Sequence, residues 1–446
     1  MVPHLTTALT GPILALERRF LEFSAPIEQW FRGQWQEHMP PFYASCDLRN
    51  AGFKLAPVDT NLFPGGFNNL NPAFLPLCVH AAMSAVEKFC PSACKLLLIP
   101  ENHTRNTFYL QNLAQLALIL SQTGLEVRIG SLSPDVTQPV RIELPYGHSL
   151  LLEPLVRHGK RLGLADFNPC AVLFNNDLSG GLPPLLQGLE EQTLLPPLHA
   201  GWFTRRKSRH FAAYARLAQE FGDLLDIDPW RIAPCFSSCQ QLDFQARQGE
   251  EALAEQVDAL LTRVRKKYRE YGIHETPYAV VKADAGTYGM GVMTVHDARE
   301  VIGLNRRQRN KMSVIKEGVS VSDVIIQEGV HTFETVREAV AEPVIYMIDR
   351  YVVGGFYRVH TTRGKDENLN APGMGFEPLA FETGCNTPDC RDNPDAPPNR
   401  FYAYGVVGRL ACLAAALELE QTAPGQEGAP FQTTTQTRAT AVAEPV

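Results

Sequence analysis

Between residues 12 and 38 apolar side chains recur at steps of three and four. Ile13, Leu16, Phe20, Phe23, Ile27 and Trp30 share one helical face. Ser24 and Pro26 interrupt that face, so a packed helix pair is expected. The pattern then becomes short apolar runs separated by helical periods. Residues 95–100 read as a buried strand, 106–122 as a helix and 126–129 as a second strand, a β-α-β unit that predicts a small parallel sheet. A further strand is expected at 171–174 and a connecting helix and loop at 183–197. Helices are predicted through residue 221 and over 250–271. Strands follow at 278–281, 292–295 and 324–327, with a basic helix over 299–316. Two strands, 344–349 and 351–359, turn around Asp349-Arg350, and an alanine- and leucine-rich helix covers 401–419. Residues 421–446 carry little to bury and are expected to be disordered.

Length and charge narrow this picture. A chain of 446 residues predicts two or three domains, with 45% apolar and 20% charged residues allowing a large core. The fold class is α/β, divided into a helical segment (1–40), a parallel-sheet region (41–249), a second domain (250–420) and the tail (421–446). A net charge of −7 argues against a broad nucleic-acid or anionic-membrane surface. No run of eighteen apolar residues occurs, and no basic segment precedes the first apolar stretch, so a cytoplasmic protein is expected. Its ten cysteines are then free thiols. Cys235 and Cys239 with Cys385 and Cys390 are only a loose match to a four-thiolate zinc site, and small apolar packing is the favoured reading.

The strongest candidate for chemistry lies between the strands at 278–281 and 292–295. Lys282 ends the first strand, and Gly286, Gly289 and Gly291 occupy the turn as G-x-x-G-x-G. Such a turn offers backbone N–H groups to an anion at close range, and Lys282 adds a point charge. The spacing is neither the dinucleotide fingerprint nor a P-loop, since Gly364-Lys365 is followed by Asp366. A phosphate-gripping hairpin and a plain tight turn both fit. The basic cluster Arg205, Arg206, Lys207 and Arg209 opens a helix where dipole logic disfavours cations, so it reads either as an anion site or as a solvated face. Residues 40–70 are rich in polar groups but anchored by aromatics, unlike a linker. Asn61, Asn68 and Asn69 there either orient a ligand or cap turns. No persuasive Ser-His-Asp or Cys-His dyad is present.

Lys282 with its glycines, the strand ending Gln327-Glu328-Gly329-Val330, the strand carrying Arg358 and the loop 367–375 occur in the order that resembles the ATP-grasp fold of carboxylate–amine ligases. Asn368 to Pro378 is similar to the late loop of glutathione synthetase, although Asn368 stands where D-alanine ligases keep a glutamate. The string from Asp47 to Pro64 resembles the proteobacterial ATP-grasp type of glutamate–cysteine ligase, and the likeness covers most of residues 10–420. The resemblance implies a Rossmann-like (pre-ATP-grasp) parallel-sheet region followed by a C-terminal ATP-grasp domain. It implies ligation of L-glutamate to L-cysteine through γ-glutamyl phosphate, with ATP and Mg2+ (or Mn2+) as cofactors. Lys282, Gly286, Thr287, Tyr288, Gly289, Met290 and Gly291 would hold phosphate, and Gln327, Glu328 and Val330 would hold adenine. Arg358 would steady the transferring phosphoryl group, beside Lys282. Glu367, Asn368, Asn370 and, more weakly, Asp349 are the metal candidates. Glutamate carries both charges, and Asp47, Arg49, Lys54 and Asp59, with Asn61, supply complements. The partners are these small molecules, with no nucleic acid or membrane, and a homo-oligomer stays open. A glutathione synthetase-like ligase or a non-catalytic ATP sensor are the alternatives.

Overall fold

The computed structural model describes residues 5–6, 12–102, 105–147, 149–286, 291–313, 318, 320–379 and 400–425. A short strand β1 (Leu5–Thr6) precedes helices α1 (Pro12–Glu22) and α2 (Ser24–Glu37), which bury Ile13, Leu16, Phe20 and Ile27 as the spacing requires. The polar stretch that follows is a hairpin, β2 (Tyr43–Asn50) and β3 (Leu55–Asn61). Helix α3 (Leu75–Phe89) leads into β4 (Lys95–Pro100), α4 (Thr107–Ser121) and β5 (Glu126–Ser131). Strands β6 (Val140–Glu143), β7 (Ser149–Pro154), β8 (Val156–His158), β9 (Arg161–Gly163), β10 (Ala171–Asn175) and β11 (Thr193–Leu195) come next. A six-stranded sheet has the order β11-β10-β4-β5-β7-β6, parallel except at the β6 edge. Its central strands are buried on both faces, which is why 96–99 and 171–174 read as unbroken apolar runs.

Helix α5 (Lys207–Leu225), β12 (Phe236–Cys239) and α6 (Glu250–Glu270) connect to the glycine hairpin, β13 (Ala279–Ala283) and β14 (Val292–Val295). Short helices α7 (Arg299–Ile302) and α8 (Arg306–Ser313) precede β15 (Val324–Glu328), and an antiparallel sheet forms in the order β12-β15-β13-β14. The chain closes with β16 (Thr335–Val336), β17 (Ala339–Ile348), β18 (Tyr351–His360), β19 (Gly375–Pro378) and α9 (Arg400–Thr422). These strands form a seven-stranded sheet with β1 and, from the front of the chain, β2 and β3. Strand β17 lies between β18 and β2, with Val344 opposite Asp47.

Helix α9 packs under this sheet and against α5. By length and composition Tyr402–Thr422 could cross a bilayer, but 94% of its apolar window is buried inside the protein, so that apolarity serves the core.

Several expectations need correction. No α-helix forms over 183–197; a 3-10 turn (Pro184–Leu186) and β11 occupy it. Pro183, Pro184, Pro196 and Pro197 withhold the N–H groups a helix needs. The basic helix over 299–316 is two short helices broken after Gly303, and its end at 314–317 lies outside the described residues. The sequence pattern does not predict helix α3 or strands β1 to β3, β6 to β9, β12, β16 and β19. The tail beyond residue 425 and the cysteines Cys385 and Cys390 also lie outside the described residues. Among the described residues no group of three His, Cys, Asp or Glu is placed to hold a metal, and Cys235 and Cys239 are free thiols.

Candidate active site

A cavity of about 780 Å³ opens where the three large sheets meet. The seven-stranded sheet contributes Asp47, Arg49, Asp59, Glu342 and Arg358, and the four-stranded sheet contributes Lys282 and Gln327. The parallel sheet presents Glu101, Asn175 and Asp177 from the carboxyl ends of β4 and β10, the edge where open α/β sheets receive ligands.

Lys282 donates to Val58 O at 2.7 Å and to Gln327 Oε1 at 2.8 Å. Burial pushes its pKa down to about 8, against the opposing pull of Asp59. Gln327 is buried, and its Nε2 has no partner among the described residues. Gly286 and Gly291 both have positive φ, which suits glycine at the two ends of the turn. Thr287, Tyr288, Gly289 and Met290 lie outside the described residues. The root of the turn is fastened to α5: Asp284 accepts from Ser208 N at 2.7 Å and Ser208 Oγ at 2.6 Å. Asp284 thereby caps a helix whose own Arg206 makes no side-chain cap bond.

That arrangement also resolves the basic helix start. Arg205 is buried against Glu418 and donates to Thr60 O at 2.8 Å. Lys207 reaches the cavity and pairs with Asp59 at 2.7 Å. Burial opposes the charge on Asp59, but Lys207 and Lys282 overcome it and hold its carboxyl below the usual range.

On the opposite wall one buried carboxylate joins two arginines. Glu342 accepts from Arg49 Nε at 2.8 Å through one oxygen and from Arg358 Nη1 at 2.6 Å through the other. Arg358 Nη1 also donates to Asp47 at 2.9 Å. Burial disfavours the charge on Glu342, yet the two guanidinium groups keep its pKa low. Burial raises the pKa of Asp47 despite Arg358 beside it. Arg49 further donates to Tyr278 Oη at 3.0 Å, Val330 O at 3.1 Å and Glu367 O at 2.6 Å, tying three elements together. Arg358 Nε, in contrast, is buried without a partner among the described residues.

The other sequence candidates divide. Glu328 and Val330 line the cavity, but Glu328 N donates to Cys235 O at 2.7 Å and Val330 O accepts from Tyr278 Oη at 2.8 Å. Glu367, Asn368 and Asn370 line it together; Glu367 accepts from Arg363 and from Gly364 N, and Asn368 Oδ1 from Asn370 N. Asn61 lines it while closing a turn with both its amide groups on Phe63. Lys54 is not brought to the cavity. It is fully enclosed, 2.8 Å from Glu328 and 4.2 Å from the Trp230 ring centre. Asp349 is likewise elsewhere, buried in the β17–β18 turn against Lys88 and Ser84. Its φ of 55° shows why the turn takes aspartate.

Glu342 escaped the sequence reading, as did Asn112. Asn112 Oδ1 accepts from Gly66 N at 2.8 Å and Phe67 N at 2.9 Å, holding the loop after β3 to α4. Gly66 has φ 113°, and a Cβ there would meet Tyr346 Oη at 2.8 Å, so glycine is required.

Similarity to known proteins places the chain among the ligases. The family model for glutamate–cysteine ligase (GshA) matches residues 17–419. A crystal structure assigned provisionally as a gamma-glutamylcysteine synthetase, from Methylobacillus flagellatus KT, is similar at 68% identity and TM-score 0.88, covering 95% of this chain and 99% of that one. The chain therefore belongs to the glutamate–cysteine ligase family, and its reaction is the ATP-dependent ligation of glutamate to cysteine. More distant likenesses carry no weight here. They are a glutathione synthetase-like effector (GSS30) from Globodera pallida (10% identity, 78% of each chain, TM-score 0.35) and D-alanyl-alanine synthetase A from Vibrio cholerae (11%, 71% and 80%, 0.32). No curated protein matches the sequence.

Proposed function

We propose that this cavity activates the γ-carboxylate of glutamate as an acyl phosphate, with Lys282 and Arg358 holding the phosphates between facing sheets. The supporting observation is a pair of buried donors on opposite walls, Gln327 Nε2 and Arg358 Nε, that have no partner among the described residues. Buried donors without partners are costly, and phosphate or carboxylate oxygens would satisfy them. A glutamate γ-carboxylate oxygen attacks the γ-phosphorus of ATP and ADP leaves. The neutral cysteine amine then attacks the carbonyl carbon, the bond to the phosphate oxygen breaks, phosphate departs with the transferred oxygen, and the amine's extra proton passes to solvent as the amide forms. Positioning and positive charge suffice for the phosphoryl step, so no nucleophilic side chain is needed.

The donor set fits a hard divalent cation. Eight carboxylate residues but only four lysines and arginines line the cavity among the described residues. A wall with excess negative charge receives a triphosphate only with added cations. Glu367, Asn368 and Asn370 would hold Mg2+, an ion that keeps several waters and uses few protein ligands. Bound there, it would neutralise charge on the phosphates.

On the same reading, residues 250–420 form an ATP-grasp domain and 41–249 a pre-ATP-grasp region that supplies the amino-acid side, Asp59, Asn61 and Lys207 included. Hairpin β2–β3 crosses between them. Glutamate carrying 18O in its γ-carboxylate, turned over with ATP and cysteine, should pass one label to phosphate for each ADP formed. Unlabelled phosphate would end the acyl-phosphate proposal.

A further inference from the structure

At the edge of the parallel sheet opposite the cavity, Cys94 stands immediately before β4 and Cys170 immediately before β10. Their sulfurs are 3.7 Å apart, Cys94 is exposed and Cys170 is partly so. Ala171 pairs with Leu96, so Cys170 lies one position off direct register with Cys94 on the neighbouring strand; adjacent strands are about 4.8 Å apart, within the backbone separations a disulfide spans. Cys170 Sγ accepts from Cys94 N at 3.4 Å. Arg161 sits close enough to favour negative charge on that sulfur, and its donors go to Asn168 and to backbone carbonyls. Lys95, next in sequence, is half-buried and lies 3.6 Å from Glu126.

We propose that Cys94 and Cys170 are a thiol–disulfide exchange site for small acidic disulfides, with Cys170 as the attacking thiolate and Cys94 as the resolving thiol. Burial works against the Cys170 thiolate, but the N–H groups of Cys94 and Lys95 outweigh it and bring the thiol below its ordinary range. Cys94 moves the other way because its neighbour is the better anion. Exchange runs in two balanced steps. The Cys170 thiolate attacks one sulfur of the small disulfide, a mixed disulfide forms and one small thiolate leaves. Cys94, having given up its proton to solvent, attacks the Cys170 sulfur; the protein disulfide forms and the second small thiolate leaves. Two protein thiols are oxidised and one small disulfide is reduced to two thiols. Arg161, donating to neutral acceptors, favours an acidic reagent.

The site is distinct from the catalytic cavity, so its test does not depend on turnover. Full-length protein is incubated anaerobically with glutathione disulfide, quenched with an alkylating agent and mapped by peptide mass spectrometry. The Cys94–Cys170 disulfide should form ahead of modification at any other cysteine. Cys94→Ser should accumulate the mixed disulfide on Cys170, and Cys170→Ser should slow modification of Cys94 at least tenfold. Circular dichroism checks that both variants are folded. Two persisting thiols in the folded wild type, or a Cys170→Ser variant that reacts as fast, would overturn the assignment.

Discussion

Glu342 and Arg358 are direct partners across β17 and β18, and their side chains meet at 2.6 Å in the wall of the cavity. The same carboxylate holds Arg49, so one acid sets the positions of two cations. Glu342→Gln takes from Arg49 its carboxylate partner in a buried setting and leaves Arg358 with Asp47 alone. Removing one partner from such a network costs about 3–5 kcal/mol. Urea unfolding should show a loss of that order, and turnover should fall at least tenfold. A variant with wild-type kcat and midpoint would show that Glu342 positions nothing.

Lys282 gives a pH signature. Its native pKa is about 8, against an unfolded value near 10.4. Between these values the unfolded chain binds more protons, so this residue's contribution to stability rises with pH from about 8 upward. Nucleotide affinity should move oppositely, because the charge that attracts phosphate is lost over the same window. Calorimetry with ATP from pH 7 to 9.5 should show weakening binding in the wild type and a flatter profile in Lys282→Met. Identical profiles would remove Lys282 from the phosphate site.

Lys54→Met separates substrate binding from support. Lys54, Trp230 Nε1 and Cys235 N all donate to Glu328. Loss of the lysine should lower the unfolding midpoint while leaving the KM for glutamate within about twofold, since Lys54 itself does not line the cavity and Glu328 keeps its bonds from Trp230 and Cys235. A large rise in that KM at unchanged stability would return Lys54 to the substrate site.

Asn112→Ala deprives two backbone N–H groups of their acceptor. An unsatisfied buried donor costs about 1–3 kcal/mol. Lower stability and faster hydrogen exchange at Gly66 and Phe67 are expected; unchanged exchange there would show that Asn112 does not hold the loop.

What the chain disclosed in advance was whatever depends on near neighbours. The glycine turn beside Lys282, the β-α-β unit at 95–131 and the Asp349-Arg350 turn each carry local signals. Glu342 carried none, being one acid before Pro343 at the mouth of an apolar run, where a strand start or a loop is equally plausible. Its importance comes from Arg49, 293 positions earlier, and no periodicity reports a pairing at that range. Lys54 shows the converse: its charge suits a substrate carboxylate, while Trp230 and Glu328, distant in sequence, enclose it.

The placement of β2 beside β17 has a consequence for biosynthesis. The segment 43–47 leaves the ribosome long before residues 344–348 exist to pair with it. At about 5–20 residues per second the wait is on the order of tens of seconds. Throughout that interval one side of the hairpin lacks its partner strand, so a nascent chain stalled before residue 344 presents an open edge that chaperones, or other copies of itself, are able to occupy.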